Sequence, residues 1–294
     1  MHLGNAAITP ECAAVTTLGA AAGLAWLAWS DRGSTRQQPT VASVVGWTAF
    51  VFAAQAWNLP VLPSASAHLV GGVLLARMLG PVLGASAMGI ILAVQAFALG
   101  DGGWMAWGCN FLNMGLLPAI TIHALNRLSP TSYASPAPTL APALAAAATI
   151  VVAAVAICGE VLLFRSESLP TWSVFASHML GVHLWIGLLE GTLTFAILHA
   201  VRSWETASPK GQSTWRVAAV VTSLMVVAAI GLGSSLPDGY EAALDAAGLA
   251  FLPAADVVDA WTSQLGLLVV GLAVAGVVSG AISATARLGS RRLA

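Results

Sequence analysis

Long, continuous apolar stretches recur along this chain and constrain its fold more than any other feature. Several are about 20 residues long, the length that an α-helix needs to cross the hydrocarbon core of a bilayer. A transmembrane β-barrel would instead show short segments that alternate between apolar and polar residues, and these stretches do not alternate. The sequence therefore predicts an all-α, polytopic bundle of membrane-spanning helices.

Glycine, proline and polar residues between the apolar stretches set the boundaries of the predicted helices. The apolar stretch 68–99 is interrupted by Gly80-Pro81, so we predict two shorter helices there. About nine membrane segments result in total. The other predicted spans lie near residues 13–30, 41–58, 104–127, 143–164, 173–201, 215–235 and 264–286.

The composition supports a membrane protein and excludes several other classes. Hydrophobic residues make up 58% of the chain and charged residues only 8%, against about 25% charged in ordinary soluble domains. The net charge of −1 implies no nucleic-acid partner. The three cysteines lie in or near apolar stretches, which is typical of small buried residues rather than of a disulfide framework or a zinc cluster.

Basic residues are distributed unevenly between the predicted loops. If the N-terminus lies outside the cell, Arg165 is the only outside residue among the 11 Lys and Arg. Because positively charged loops stay on the cytoplasmic side, this asymmetry predicts an extracytoplasmic N-terminus. The short N-terminal segment is then expected to fold back into the bundle from the outer face.

The dipeptide Met1-His2 carries three nitrogen atoms that can bind one metal ion. The α-amine and the His2 amide close a five-membered chelate, and the amide with the imidazole Nδ1 closes a six-membered one. One further ligand completes a square plane, which suits Ni(II), Cu(II) or a related Co(II) site. A loose terminus with a chance histidine is the alternative, and for the dipeptide alone it is the more common case.

Other histidines supply further candidates. His68 follows a predicted outside loop, so its imidazole lies on the same side as His2, where it is either the fourth nitrogen or an interfacial residue bonded to a carbonyl. His183 and Glu190 are seven residues apart on one predicted helix and share a face. They are either functional ionisable groups within the membrane or polar residues that hold one helix to another. A haem- or quinone-binding membrane protein that uses His178 and His183 is the alternative function.

Polar side chains interrupt two otherwise apolar regions. Gln55 and Asn58 lie at the end of the second predicted span, and Asp101 lies in the glycine-rich turn before the next long span. Asn110 and Asn113 follow on that span and share a helix face. Such groups either hydrogen-bond the second nitrogen of a histidine ligand or pin one helix to another.

The motifs FAAQ, N-x-P-V, H-L-x-G-G and G-D-G-G followed by N-x-x-N-M occur in order over residues 52–114. With the Met-His start, they make residues 1–205 resemble the M component of cobalt and nickel energy-coupling-factor (ECF) transporters, the CbiM/NikM type. The resemblance implies that Met1 and His2 supply amine, amide and imidazole nitrogens and that His68 supplies the fourth. It implies a supporting role for Gln55, Asn58, Asp101, Asn110 and Asn113. Positions 4–6 are Gly-Asn-Ala where that family has Pro-Asp-Gly, which affects metal preference more than the presence of a site.

Residues 206–294 are similar to the small N component of such transporters. Two predicted spans flank an outside loop, Leu236-Pro237-Asp238-Gly239-Tyr240-Glu241, which resembles the PDGLE motif of that component. The resemblance implies an auxiliary role in loading metal. Asp238 and Glu241 themselves are expected to be solvated surface charges rather than ligands.

The predicted function is that of a transport subunit and not an enzyme. Ni(II) or Co(II) is the transported substrate, and no organic cofactor is expected. The phosphate-binding pattern G-x-x-x-x-G-K-S/T does not occur in the sequence, so ATP hydrolysis is expected from separate ECF ATPase subunits. The resemblance implies a transmembrane coupling (T/Q) subunit as a further partner. It implies a multi-pass protein of the inner or plasma membrane of a bacterium or archaeon, embedded in the lipid bilayer.

Overall fold

The computed structural model of the chain describes residues 2–5, 8–32, 34, 38–128, 140–164, 172–207 and 236–248, with the backbone alone over 203–207. The predicted spans at 215–235 and 264–286 lie outside these residues, as does Met1. The prediction of about nine membrane segments therefore stays a prediction for that part of the chain.

The described chain is mostly helical. Its first half contains α1 and α2, a short β-hairpin and two further helices: α1 (Pro10–Ser30), α2 (Val41–Gln55), β1 (Leu59–Leu62), β2 (Ala65–Ala67), α3 (Gly72–Leu79) and α4 (Pro81–Val94), which a π-helical turn (Gln95–Leu99) extends. The remainder contains α5 (Trp107–Phe111), a second π-helical turn (Leu112–Leu116), α6 (Leu117–Leu128), α7 (Leu140–Phe164), α8 (Trp172–Ala207) and α9 (Gly239–Ala246).

Five helical segments in the described residues are long and apolar enough to cross a membrane: Pro10–Ser30, Pro81–Leu99, Trp107–Leu128, Leu140–Phe164 and Trp172–Arg202. The shorter helix α2 has 15 residues and ends at Gln55, before the predicted limit of 58. Large apolar side chains are exposed along several of these segments, including Leu18 and Trp29 on α1, Leu144 on α7 and Leu188 on α8. Outward-facing apolar residues over whole helices fit a lipid environment rather than water.

The predicted break at Gly80-Pro81 is present. Gly80 has a φ of 94°, and it separates α3 from α4, whose first residue is Pro81. The two helices then pack closely, because a Cβ on Gly84 would lie 2.5 Å from the Cα of Ala76.

The hairpin is a departure from the all-α expectation. Strands β1 and β2 pair in antiparallel register, with Leu59 opposite Ala67 and Pro60 opposite Ser66. Proline cannot donate a ladder hydrogen bond, and a two-stranded hairpin tolerates it because each strand has a free edge. The hairpin returns the chain from the end of α2 to His68, which directly follows β2.

Candidate metal centre

The N-terminal segment is anchored against the turn and helix that follow α4. The backbone N–H of Leu3 donates to Asn110 Oδ1 at 2.9 Å, and Asn110 Nδ2 donates to the Leu3 carbonyl at 3.2 Å. The same carbonyl accepts from the Gly103 N–H at 2.8 Å. A single amide side chain thus holds both backbone groups of the residue next to His2.

Glycines let this turn approach the N-terminal segment. Gly102 has a φ of 81°, which favours glycine, and a Cβ there would lie 3.3 Å from the Cβ of His2. A Cβ on Gly103 would collide with the backbone nitrogen of Asn5. Asn5 Oδ1 in turn accepts from the Met105 N–H at 2.8 Å. The glycine-rich turn is therefore shaped to receive residues 2–5.

His68 is buried, and one of its ring nitrogens is engaged. Its Nδ1 lies 3.2 Å from the carbonyl of Leu69, so the N–H tautomer at Nδ1 donates to that carbonyl. In that tautomer Nε2 carries the lone pair that binds a metal. A histidine ligand whose other nitrogen is hydrogen-bonded is the usual arrangement at metal sites.

Two buried polar side chains hold the turn that follows His68. Glu190 of α8 accepts from the N–H groups of Val70 and Gly71, at 2.7 and 2.8 Å. Gln55 at the end of α2 donates from Nε2 to the Val70 carbonyl at 2.7 Å, and Gln95 donates to Gln55 Oε1 at 2.7 Å. Residues from three separate helical segments thus fix the backbone on which His68 sits.

The structure brings the two histidines together. The rings of His2 and His68 are stacked, with centroids 5.5 Å apart and 20° between their planes. The side chain of Asp238 joins them, and the candidate ligand atoms of these three residues all lie within 4.8 Å of one another. Among the described residues, this is the cluster of histidine and acidic groups with metal-site geometry.

Asp238 departs from the expectation of a solvated surface charge. It caps α9, accepting at Oδ1 from the N–H groups of Tyr240 and Glu241, both at 2.8 Å. Glu241 completes a capping box by accepting from the Asp238 N–H at 2.9 Å. Both side chains are half-buried, so the surface interpretation was wrong for them. The sequence contained the capping pattern Asp-x-x-Glu, but it gave no sign of where the loop docks.

Burial and neighbouring charges act on the three groups of the cluster. Burial lowers the pKa of His68 to about 4, so the ring is neutral at physiological pH. Burial also lowers the pKa of His2, against the opposing effect of the Asp101 carboxylate. At Asp238, burial acts to raise the pKa, but the N–H of Glu241 and the His2 ring are among the groups that hold it below its usual value. The site therefore combines a neutral His68 imidazole with an ionised carboxylate.

Asp101 contacts the ring of His2. Its Oδ1 lies 3.3 Å from His2 Nδ1, and its side chain is 51% exposed. His2 Nε2 is buried and has no hydrogen-bond partner among the described residues. In this arrangement the nitrogen expected to chelate faces Asp101.

The other two predicted supporting residues lie in different surroundings. Asn113 donates from Nδ2 to both carboxylate oxygens of Glu160 on α7, at 3.1 and 3.3 Å. The Oδ1 of Asn58 is buried without a hydrogen-bond partner in the described part of the chain. Asn113 thus connects two helices, which is the structural alternative for a buried amide.

His178 and His183 do not converge on a common site. His178 is exposed, whereas His183 is buried and its Nδ1 lies 2.7 Å from the Met179 carbonyl. The two rings therefore occupy different faces of α8. Glu190, on the same helix, accepts hydrogen bonds from the turn after His68. The sequence did not reveal this contact, because Glu190 is 120 positions from Val70 and 119 positions from Gly71.

Comparison with known proteins gives one family and several relatives. Residues 2–208 match the family described as the cobalt uptake substrate-specific transmembrane region, CbiM. A protein of Haloquadratum walsbyi whose name describes metal transport is 29% identical over 198 residues, which is 67% of this chain and 88% of the relative. The fused nickel transport protein NikMN of Rhodobacter capsulatus is 34% identical over 131 residues, which is 42% of this chain and 37% of that protein. A crystal structure of a truncated transition metal transporter aligns with a TM-score of 0.57 and 26% identity, over 69% of this chain and 99% of that one.

Proposed function

This chain belongs to the CbiM family of cobalt uptake substrate-specific transmembrane regions, and from that premise we propose that it captures Ni(II) or Co(II) through four nitrogen atoms at its extracytoplasmic face. The ligands are the α-amine of Met1, the backbone amide and imidazole of His2, and the imidazole of His68. The observation that carries the proposal is the stacking of the two buried rings of His2 and His68, with centroids 5.5 Å apart.

The ligand set favours a late transition metal. Imidazole and amide nitrogens suit Ni(II), Cu(II) and Co(II), whereas Mg²⁺ and Ca²⁺ require oxygen ligands. The ligands bind in their deprotonated forms, so capture of the ion releases protons. The neutral His68 ring, with Nδ1–H on the Leu69 carbonyl, already presents the required lone pair.

Chelation by His2 requires its ring to turn. Nδ1 now faces Asp101 at 3.3 Å. A half-turn about the Cβ–Cγ bond moves Nδ1 to the opposite edge of the ring and brings Nε2 to the edge nearer Asp101. An Nε2–H that donates to Asp101 would then hold the ring as a ligand, which is the supporting role that carboxylates play at histidine metal sites. Asp101 thus guides the ring both before and after the ion binds.

Transport requires partner subunits. ECF-type ATPase subunits and a transmembrane T/Q subunit are the proposed partners, and their motion would open the captured site inward. The segment 206–294 is proposed as an N-component-like auxiliary part. Conformational change of the bundle would then expose the ion to the cytoplasm.

Metal binding by the purified chain tests the proposal directly. The chain with its N-terminus at Met1 is titrated with Ni(II) and with Co(II), and bound metal is quantified by elemental analysis. We expect His68→Ala to lower affinity by more than about 100-fold, because even supporting residues at such sites contribute 10- to 100-fold. His178→Ala is the matched control, since its ring is exposed on α8 and lies outside the cluster of His2, His68 and Asp238. Extending the chain before Met1 should abolish binding, and tight binding by the extended chain would refute the amine ligand.

A further inference from the structure

We propose that Asp238 is an additional, oxygen ligand of the transported ion, and that its loop closes the outer side of the site. This inference rests on the proposed function, because it assigns one more ligand to the same site. It concerns a carboxylate in the C-terminal part of the chain, beyond residues 2–208 that match the family.

The first support is distance. The Asp238 carboxylate belongs to the cluster with His2 and His68, in which the candidate ligand atoms lie within 4.8 Å of one another. One ion placed among three such atoms can reach all of them at ordinary bond lengths of about 2 Å with small adjustments of the side chains. Two buried imidazoles and a carboxylate form a donor set that transition metals accept.

The second support is that the loop is firmly docked at this place. Ser66, two residues before His68, donates its backbone N–H to the Pro237 carbonyl at 2.8 Å and its hydroxyl to the Leu236 carbonyl at 2.6 Å. On the other side, the Tyr240 ring packs edge-on against Phe175 of α8, with centroids 6.0 Å apart. Asp238 is thus held between β2, which precedes His68, and α8.

Gly239 sets how closely the loop approaches. A Cβ at this position would lie 2.6 Å from Ile186 Cδ1 and 2.9 Å from His183 Cε1. A residue with a large side chain would therefore displace Ile186, His183 or the loop itself. The absence of a side chain next to Asp238 allows the carboxylate to reach the histidine pair.

The carboxylate is oriented before an ion arrives. The N–H groups of Tyr240 and Glu241 both donate to Oδ1, which fixes the plane of the group. An ionised carboxylate has about four lone-pair sites, so these bonds are compatible with metal coordination. Such preorganisation lowers the cost of binding because the ligand need not be ordered by the ion.

An oxygen ligand changes what the site can do. Four nitrogens in a plane leave the two axial directions open, and a carboxylate from the outer side would occupy one of them. The ion would then be covered on its outer face, so its release outward would require the loop to move. The ligand set would also become less selective for the square-planar geometry that Ni(II) and Cu(II) adopt.

Replacing Asp238 by Asn in the full chain tests this. Asn is also a good N-cap, so α9 should stay folded while the anionic ligand is lost. We expect the affinity for Ni(II) and Co(II) to fall about 10- to 100-fold, and the ligand-field absorption of bound Ni(II) to shift toward that of a planar four-nitrogen complex. Asp245→Asn is the matched control, because Asp245 is exposed on the same helix, and it should leave both quantities unchanged.

A second variant separates coordination from docking. Gly239→Leu keeps the carboxylate but forces the loop away from His183 and Ile186, so the bound ion should dissociate about 10-fold faster, as expected if Asp238 is withdrawn. Unchanged affinity, spectrum and dissociation rate in both variants would overturn the inference. Tighter binding by Asp238→Asn would also overturn it, because Asp238 would then stabilise protonated nitrogen ligands in the empty site and so oppose binding of the ion.

The two proposals fail in different ways. If His68→Ala retains full affinity, the four-nitrogen site itself is wrong. If His68→Ala loses binding while Asp238→Asn matches the unmodified chain, only the role of Asp238 is wrong.

Discussion

At the scale of single residues, Asn110 shows how one side chain can seat a terminus. Its amide both accepts from and donates to the backbone of Leu3, so it replaces the pairing that a neighbouring strand would provide. Asn113, on the next turn, binds Glu160 instead. The sequence placed both amides on one helix face but could not distinguish these roles, because the difference depends on which distant segment each one meets.

We predict that Asn110→Ala weakens metal binding about 10- to 100-fold, because His2 loses the anchor next to it. Isothermal titration with Ni(II) measures the change. Asn113→Ala is the control from the same helix, and it should keep affinity within about 3-fold while lowering thermal stability, since Glu160 loses its donor. Equal losses of affinity in the two variants would contradict a specific role for Asn110.

At the scale of elements, the turn between β2 and α3 depends on residues from other parts of the chain. Glu190 of α8 accepts from two successive N–H groups at the start of α3, where the positive end of the helix dipole favours an anion. Gly71, with a φ of 76°, allows the turn, and a Cβ there would lie 2.7 Å from Val51. The position of His68 is thus an outcome of α2, α3 and α8 together.

Glu190→Gln is expected to lower the free energy of unfolding by about 1–3 kcal/mol, because an amide accepts only at its oxygen and presents a donor to the second N–H. Metal affinity should fall about 10-fold as His68 loses its fixed backbone. Thermal denaturation in detergent and metal titration measure the two effects. Glu160→Gln, which keeps an acceptor for Asn113, should leave the affinity unchanged. If the Glu190→Gln protein is less stable yet binds metal normally, Glu190 contributes to folding and not to metal binding.

Helix existence was predictable from sequence, whereas the construction of the site was only partly so. Apolar length locates α1, α7 and α8 because membrane helices need no partner to satisfy their backbone. The hairpin and the docked 236–248 loop could not be predicted in the same way. Ser66 and Leu236 are 170 positions apart, and no local pattern encodes such a contact. His2 and His68 were predicted from the chelating nitrogens of the Met-His start, from their predicted side of the membrane and from motif order, and the structure places Asp238 beside them.

At the scale of the whole molecule, the orientation in the membrane decides whether the site faces incoming ions. Ser64, in the hairpin, and Gln38, before α2, are both exposed and lie near opposite ends of α2. The three native cysteines are buried, so the unmodified chain should react little with a thiol reagent. Charge distribution predicts that the hairpin end is extracytoplasmic.

We predict that Ser64→Cys in intact cells reacts with a membrane-impermeant maleimide, whereas Gln38→Cys reacts only after the membrane is permeabilised. This result is expected because the N-terminus and the hairpin are predicted to lie on the outer side. Labelling of the unmodified chain is the control for background. The reverse pattern would show that the cluster of His2 and His68 faces the cytoplasm, and capture from outside would then be excluded.

The π-helical turn Gln95–Leu99 has a consequence for how this chain could change over time. A π turn closes its hydrogen bonds one residue later than an α turn, so it takes in an extra residue. Loss of one residue there would let α4 continue as a regular helix and would rotate the residues after the turn by about 100°. Asp101, whose N–H now donates to the Gln95 carbonyl at 3.0 Å, would turn away from His2. Descendants of this chain can therefore exchange residues in the turn. They cannot shorten it by one residue without losing the contact between Asp101 and His2.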